Sequence, residues 1–235
     1  MDPGPYVITD LPGPEAGRGV IADSDFGDLT DDLARDAFRA GACGQPVVRL
    51  LRWHLEQILQ AQSSVAYGVD GVPTEAGLQS DARAAYDYLR ETLRADPERI
   101  VIYGWSLGSA VAVDLASRVD EAAVVLEGAP ASLVAIGEQR YPYFPIRLLI
   151  RNPFESIHKI DRVGSPVLFL HSPDDTIIPI AEGRRLFDAA PEPKQFVEVS
   201  GGHVYAAERD PRFFPSVRAF LQDRLATSAA GGAWL

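Results

Sequence analysis

Three positions far apart in this chain have the types and the order needed to activate a serine hydroxyl: Ser106, an acid at 174 or 175, and His203. Ser106 sits in Gly104-Trp105-Ser106-Leu107-Gly108, between the β-branched apolar run Ile100-Val101-Ile102-Tyr103 and the small-residue stretch Ser109 to Ala116. A nucleophile on a sharp strand-to-helix turn has strained backbone geometry, and side chains two residues before and after it collide unless they are glycine. The pattern therefore predicts that Gly104 and Gly108 free the turn and that Ser106 Oγ projects above the sheet edge. The Leu107 N–H, at the new helix N-terminus, then points where an oxyanion develops.

A serine hydroxyl is a poor nucleophile at neutral pH and needs a base oriented by a carboxylate. The rest of the chain supplies both, in that order. Ser165-Pro166-Val167-Leu168-Phe169-Leu170-His171 reads as a short buried strand ending in Ser172-Pro173-Asp174-Asp175. Gln195-Phe196-Val197-Glu198-Val199 reads as the next strand and runs into Ser200-Gly201-Gly202-His203, where the glycine pair lets a loop fold back.

From about Gly71 to Leu225 the chain resembles the α/β-hydrolases of the Bem46 group and the alpha/beta hydrolase domain-containing proteins 13 and 17. The resemblance is carried by Gly71-Val72-Pro73-Thr74-Glu75-Ala76-Gly77-Leu78, Gly104-Trp105-Ser106-Leu107-Gly108, Pro145-Ile146-Arg147-Leu148-Leu149, His171-Ser172-Pro173-Asp174-Asp175 and Gly201-Gly202-His203. It implies an α/β-hydrolase fold, a mostly parallel sheet with helices on both faces and a short lid. It also implies a serine hydrolase that needs no cofactor. The family's H-G-x-x-D-x-x-x-P pattern places the acid on Asp175 and makes Asp174 a neighbour.

The first 62 residues depart from that pattern, because the H-G loop that completes the family's oxyanion hole and the D-Y-x-G-x-G-x-S segment are both missing. A substitute in the same order is the strand Gly19 to Asp23, the loop Ser24-Asp25-Phe26-Gly27 and a helix from Leu29. Ser24, Asp25 and Phe26 are thus the candidates for the second oxyanion donor beside Leu107. Gly19 to Leu29 equally resembles Ala123 to Leu133, the strand leading into the lid.

Other features read more plainly. His54, His158 and His171 lack the spacing of a zinc site, and His171 reads as a strand-end hydrogen-bonding residue. The acidic stretch Asp23 to Asp28 has its glycine one place early for a calcium loop, and Ala34 stands where the bidentate Glu would be, so no metal is expected. A chain of 235 residues with 46% hydrophobic content suits one domain over 1–235. The net charge of −11 disfavours nucleic acid and anionic lipid surfaces, and no apolar run reaches the length of a membrane span. One cysteine, Cys43, and no leader-like amino end favour a cytoplasmic protein.

To position these residues, the pattern predicts strands at Tyr6 to Thr9, Gly19 to Asp23 and Ser64 to Tyr67, with helices at Leu29 to Ala40 and Val47 to Ala61. From Glu75 the alternation is clean: a helix to Leu93, the elbow strand and helix, strand Ala123 to Glu127, strand 166–171, helix Ile180 to Ala189, strand 195–199 and a closing helix Phe214 to Leu225. The insertion at about 131–152 is the expected lid, and Trp105, Tyr143 and Phe144 are its candidate pocket residues, unless they simply pack a cap on the core. The expected activity is cleavage of a small-molecule carboxylic ester or thioester through an acyl-enzyme. The alternatives are a catalytically weak or inactive binder in the same pocket, or a serine peptidase.

Overall fold

A computed structural model describes Val7–Ile8, Arg49–Trp53 and residues 74–231, with side chains over 74–222. Among the described residues, six parallel strands lie in sequence order: β1 (Val7–Ile8), β2 (Arg49–Trp53), β3 (Ile100–Trp105), β4 (Ala123–Glu127), β5 (Val167–His171) and β6 (Lys194–Glu198). The residues of β3, β4 and β5 are buried throughout, as expected of parallel strands covered on both faces. Their side chains alternate between two cores. Ile100, Ile102, Val124, Leu126, Val167 and Phe169 face one side, with α1 (Glu75–Asp87), α2 (Leu107–Ala116) and α5 (Ile180–Ala189). Val101, Tyr103, Val125, Leu168 and Leu170 face the other, against α7 (Phe213–Gly231).

Between β4 and β5 the chain makes α3 (Leu133–Arg140) and the single turn α4 (Ile146–Leu149), and a short α6 (Ala206–Arg209) follows β6. The return of the β4–β5 excursion is tied down by Glu75 at the start of α1. Asn152 Oδ1 accepts from Glu75 N at 2.9 Å, and Glu75 Oε2 accepts from Phe154 N at 2.9 Å. Lys159 Nζ joins Glu75 Oε1, at 3.2 Å, to the buried Asp114 Oδ1 of α2, at 2.8 Å.

Two expected elements take another form. The stretch expected as a helix over Val47 to Ala61 holds strand β2, paired in register from Arg49 with Ile100 to Trp53 with Gly104. Its apolar run is short enough for either period, and the ladder offered by β3 decides it. The long helix expected to Leu93 is α-helical only to Asp87 and closes in a π turn, Tyr88–Thr92, before Arg94 turns left-handed at φ 52°. The strand expected at Gly19 to Asp23, the helix from Leu29 and the strand at Ser64 to Tyr67 lie outside the described residues.

At the amino-terminal edge of the sheet, far from Ser106, Glu121 is buried with Ser165 Oγ–H donating to Oε1 at 2.6 Å and with no partner for Oε2 among the described residues. Burial pushes its carboxyl up to about 7, against the Ser165 hydrogen bond and with help from Asp120. A raised carboxyl stabilises the fold fully below its unfolded value, and that stability is lost as pH rises through the folded value. The protein is therefore expected to melt at lower temperature at about pH 8 than at about pH 5, with Glu121 contributing about 3 kcal/mol of the difference. Thermal melts of Glu121→Gln check this: the variant should lose most of that decline and be the more stable protein at the higher pH.

Candidate active site

β3 ends at Trp105, and the chain turns at Ser106 with φ 55° and ψ −125°, a left-handed conformation that strains any residue with a Cβ. The turn is held from several sides. Ser106 N donates to Glu127 O at 2.8 Å, and Ser109 Oγ donates to Gly104 O at 2.7 Å and to Glu127 O at 3.0 Å. Helix α2 starts at Leu107 and packs so closely on β3 that a Cβ at Gly104 would lie 2.6 Å from Gly108 O and 2.6 Å from Ser109 Cα. The Leu107 N–H belongs to the first turn of α2, where backbone donors have no acceptor within the helix.

β5 delivers the acid. Asp175 Oδ1 accepts from Ile177 N at 2.9 Å and Ile178 N at 2.8 Å, which leaves Oδ2 facing His203. β6 delivers the histidine through a loop in which Gly201 has φ 114° and stands so close to Tyr205 O that a Cβ would lie 2.6 Å from it. The three side chains meet in one hydrogen-bonded line. His203 Nδ1 is 2.7 Å from Asp175 Oδ2, and His203 Nε2 is 2.7 Å from Ser106 Oγ. All three are buried, at 2% exposure for Ser106 and 7% for both Asp175 and His203. A carboxylate can only accept, so Nδ1 carries the proton toward Asp175 and Nε2 is free to take one from the hydroxyl. Burial pushes the Asp175 carboxyl up, but the His203 hydrogen bond, Ile178 N–H, the His203 charge and Ile177 N–H outweigh it and hold it below its ordinary value.

Asp174 is exposed and reaches this network only through its backbone, its N–H donating to Ser172 Oγ at 3.2 Å. His171 is buried behind the acid, where its Nε2 donates to Ile178 O at 2.9 Å and lies 3.6 Å from Asp175 Oδ2. Burial pushes the His171 imidazole down, partly opposed by the Ile178 carbonyl and Asp175 and reinforced by His203. Trp105 is 6% exposed and braces the histidine loop, with Nε1 donating to His203 O at 3.0 Å and its ring centroid 5.6 Å from that of His203. Of the other expected pocket residues, Tyr143 is 95% and Phe144 61% exposed, so neither is enclosed. Ser24, Asp25 and Phe26 lie outside the described residues, and the strands hydrogen-bonded on either side of the elbow strand are β2 and β4.

Ser172 and Asp210 are site residues that sequence reasoning passed over. Ser172 is 2% exposed, and its Oγ accepts from both Asp174 N at 3.2 Å and Gly202 N at 3.1 Å, linking the acid loop to the histidine loop. The available signal was a serine in the place of the glycine of H-G-x-x-D. Asp210 accepts from Ser200 N at 2.7 Å at the root of the histidine loop, and its carboxyl is held far below its ordinary value, chiefly by Arg212.

A family model for the dienelactone hydrolase family matches residues 58–211. The chain belongs to that family, within the α/β-hydrolases. It is 41% identical over 158 residues to an uncharacterized protein of Mycobacterium tuberculosis, a match covering 66% of this chain and 56% of the relative. It is 33% identical over 165 residues to alpha/beta hydrolase domain-containing protein 17C of Homo sapiens, covering 69% and 48%. The chain thus spans about half the length of the curated relatives it matches. Among solved structures, the esterase domain of a Rhodothermus marinus protein aligns with a TM-score of 0.54 at 20% identity, covering 78% of this chain and 90% of that one. A puromycin-hydrolyzing peptidase of Mycobacterium tuberculosis aligns at 0.53 and 23%, covering 63% and 25%. These likenesses establish the α/β-hydrolase fold expected from the sequence.

Removing the Ser172 hydroxyl leaves two part-buried N–H groups without their acceptor, at about 1 kcal/mol each. Ser172→Ala is expected to broaden the low-field proton resonance of His203 Nδ1–H by exchange with water, while Ser172→Thr keeps it sharp. An unchanged spectrum in Ser172→Ala would show that the two loops hold their places without this link.

Proposed function

We propose that this protein is a serine hydrolase that cleaves carboxylic ester or thioester bonds through an acyl-enzyme, in a single domain whose 131–152 segment forms a cap. The observation that carries the reading is the buried line from Asp175 through His203 to Ser106, both contacts 2.7 Å, ending on a serine held at φ 55°. Family membership supports a hydrolase; the bond cleaved is inferred from the chemistry of the site.

In this reading Ser106 Oγ attacks the substrate carbonyl as its proton passes to His203 Nε2, and the carbonyl π electrons move onto oxygen. Leu107 N–H stabilises that oxyanion. A single such donor is worth about a hundred- to a thousandfold in rate. Collapse of the adduct expels the alcohol or thiol, which takes the proton back from His203 and leaves the acyl group on Ser106. A water molecule then gives its proton to His203 and attacks the acyl carbon. The second collapse releases the acid and returns the proton to Ser106. Asp175 holds the imidazole in the tautomer that presents a bare Nε2 and supports its charge in each transition state. The substrate is a small molecule with an acyl group, and the single cysteine suits a reducing compartment such as the cytoplasm.

Labelling with a fluorophosphonate probe tests the reading directly. Ser106→Ala should abolish labelling and ester hydrolysis, whereas Ser117→Ala should do neither. Asp175→Asn should lower kcat by about four orders of magnitude through the wrong tautomer, and Asp174→Asn by less than about tenfold. Labelling that persists in Ser106→Ala, or equal losses at the two acids, would overturn the assignment.

A further inference from the structure

The large hydrophobic side chains that this protein exposes are not scattered. Of the nine among the described residues, five lie between Tyr141 and Leu149 in the β4–β5 excursion, with Tyr143 at 95% and Leu148 at 84% exposure. Three more follow the site residues closely: Ile177 after Asp175, and Val204 and Tyr205 after His203. Tyr88 alone lies elsewhere, at the end of the helix that enters β3 from the amino-terminal edge. Scattered apolar side chains are normal on a protein surface; a concentration on one functional edge marks a contact surface.

Charge says what that surface meets. The 13 residues from Gln139 to Arg151 hold three arginines and no acid, in a chain of net charge −11; Arg147 is paired with the neighbouring Glu138 at 2.8 Å, which leaves Arg140 and Arg151 to face a partner. Aromatic and aliphatic tips flanked by guanidinium groups suit a lipid headgroup boundary, where rings and leucines enter the acyl region and arginines meet phosphates. The excursion is rooted beside the triad: a Cβ at Gly128, its first residue, would lie 3.5 Å from both Asp175 Oδ2 and His203 Nδ1.

We propose that the 139–151 segment docks this protein on an anionic bilayer surface, so that the proposed hydrolase draws its acyl substrate from the lipid phase. The inference rests on the hydrolase reading for its purpose but not for the docking itself. The bulk of the chain is acidic and is held off such a surface, which leaves the sheet's carboxyl edge as the face that approaches it.

Co-sedimentation with phosphatidylcholine vesicles, with and without phosphatidylglycerol, provides the test. Wild-type protein should pellet with the mixed vesicles and stay largely in solution with phosphatidylcholine alone. Tyr143→Glu with Leu148→Glu, and separately Arg140→Gln with Arg151→Gln, should each weaken binding by at least about tenfold, while Tyr88→Glu should not. These side chains are exposed, and unchanged fluorophosphonate labelling would show that each variant folds. No pelleting, pelleting indifferent to phosphatidylglycerol, or pelleting unaffected by the variants would each overturn the docking proposal. Concentration-dependent self-association that the same variants abolish would instead assign the surface to a second copy of the chain. A vesicle-bound protein that the probe does not label would count against the hydrolase reading and leave the docking standing.

Discussion

His203 has to satisfy two partners at once, and that demand organises the described structure. One imidazole ring bridges a carboxylate from the end of β5 and a hydroxyl from the end of β3, while itself hanging on a loop from β6. Such a meeting requires three strand ends on the same edge, which a parallel sheet provides without further arrangement. The loops are then tied across one another. Val199 N donates to His171 O at 3.0 Å, Gly202 N reaches Ser172 Oγ, and Trp105 holds the His203 carbonyl. Each tie satisfies a backbone group that burial would otherwise leave unpaired.

The acid is shared unequally between two histidines. His171 and His203 both approach Asp175 Oδ2, yet their roles separate through burial and hydrogen bonding. His171 is kept neutral and spends its Nε2–H on Ile178 O, so it adds shape behind the carboxylate without competing for its charge. The backbone N–H pair on Oδ1 completes the division, and one carboxylate oxygen remains for one imidazole.

Where elements were bounded by strong local signals, the sequence was legible to the residue. Strand Ala123–Glu127 and helix Ile180–Ala189 stand as read, and Ser106, Asp175 and His203 lie in one hydrogen-bonded line. The stretch Val47 to Ala61 reads as a helix yet holds β2, because an apolar run as short as Val47 to Trp53 has no period of its own; its form comes from the neighbouring β3 ladder, a tertiary fact. Tyr143 stands out at 95% exposure while Trp105 lies buried against the histidine loop, a difference that residue type does not carry: it marks an aromatic as apolar but not which way it faces. Ser172 escaped notice because its role exists only between two loops distant in sequence. The oxyanion candidates at 24–26 fall on residues that the structure does not describe.

The clamp made by Glu75 gives the β4–β5 excursion a fixed return, just as Gly128 gives it a fixed departure. A loop whose ends are both pinned to the scaffold changes little in closure entropy when residues are exchanged or inserted between the pins. The stretch between them therefore behaves as a replaceable cassette, whose sequence can drift or be grafted while the sheet beneath keeps its register. Variation in what this scaffold acts on can accumulate there at small cost to the rest of the chain.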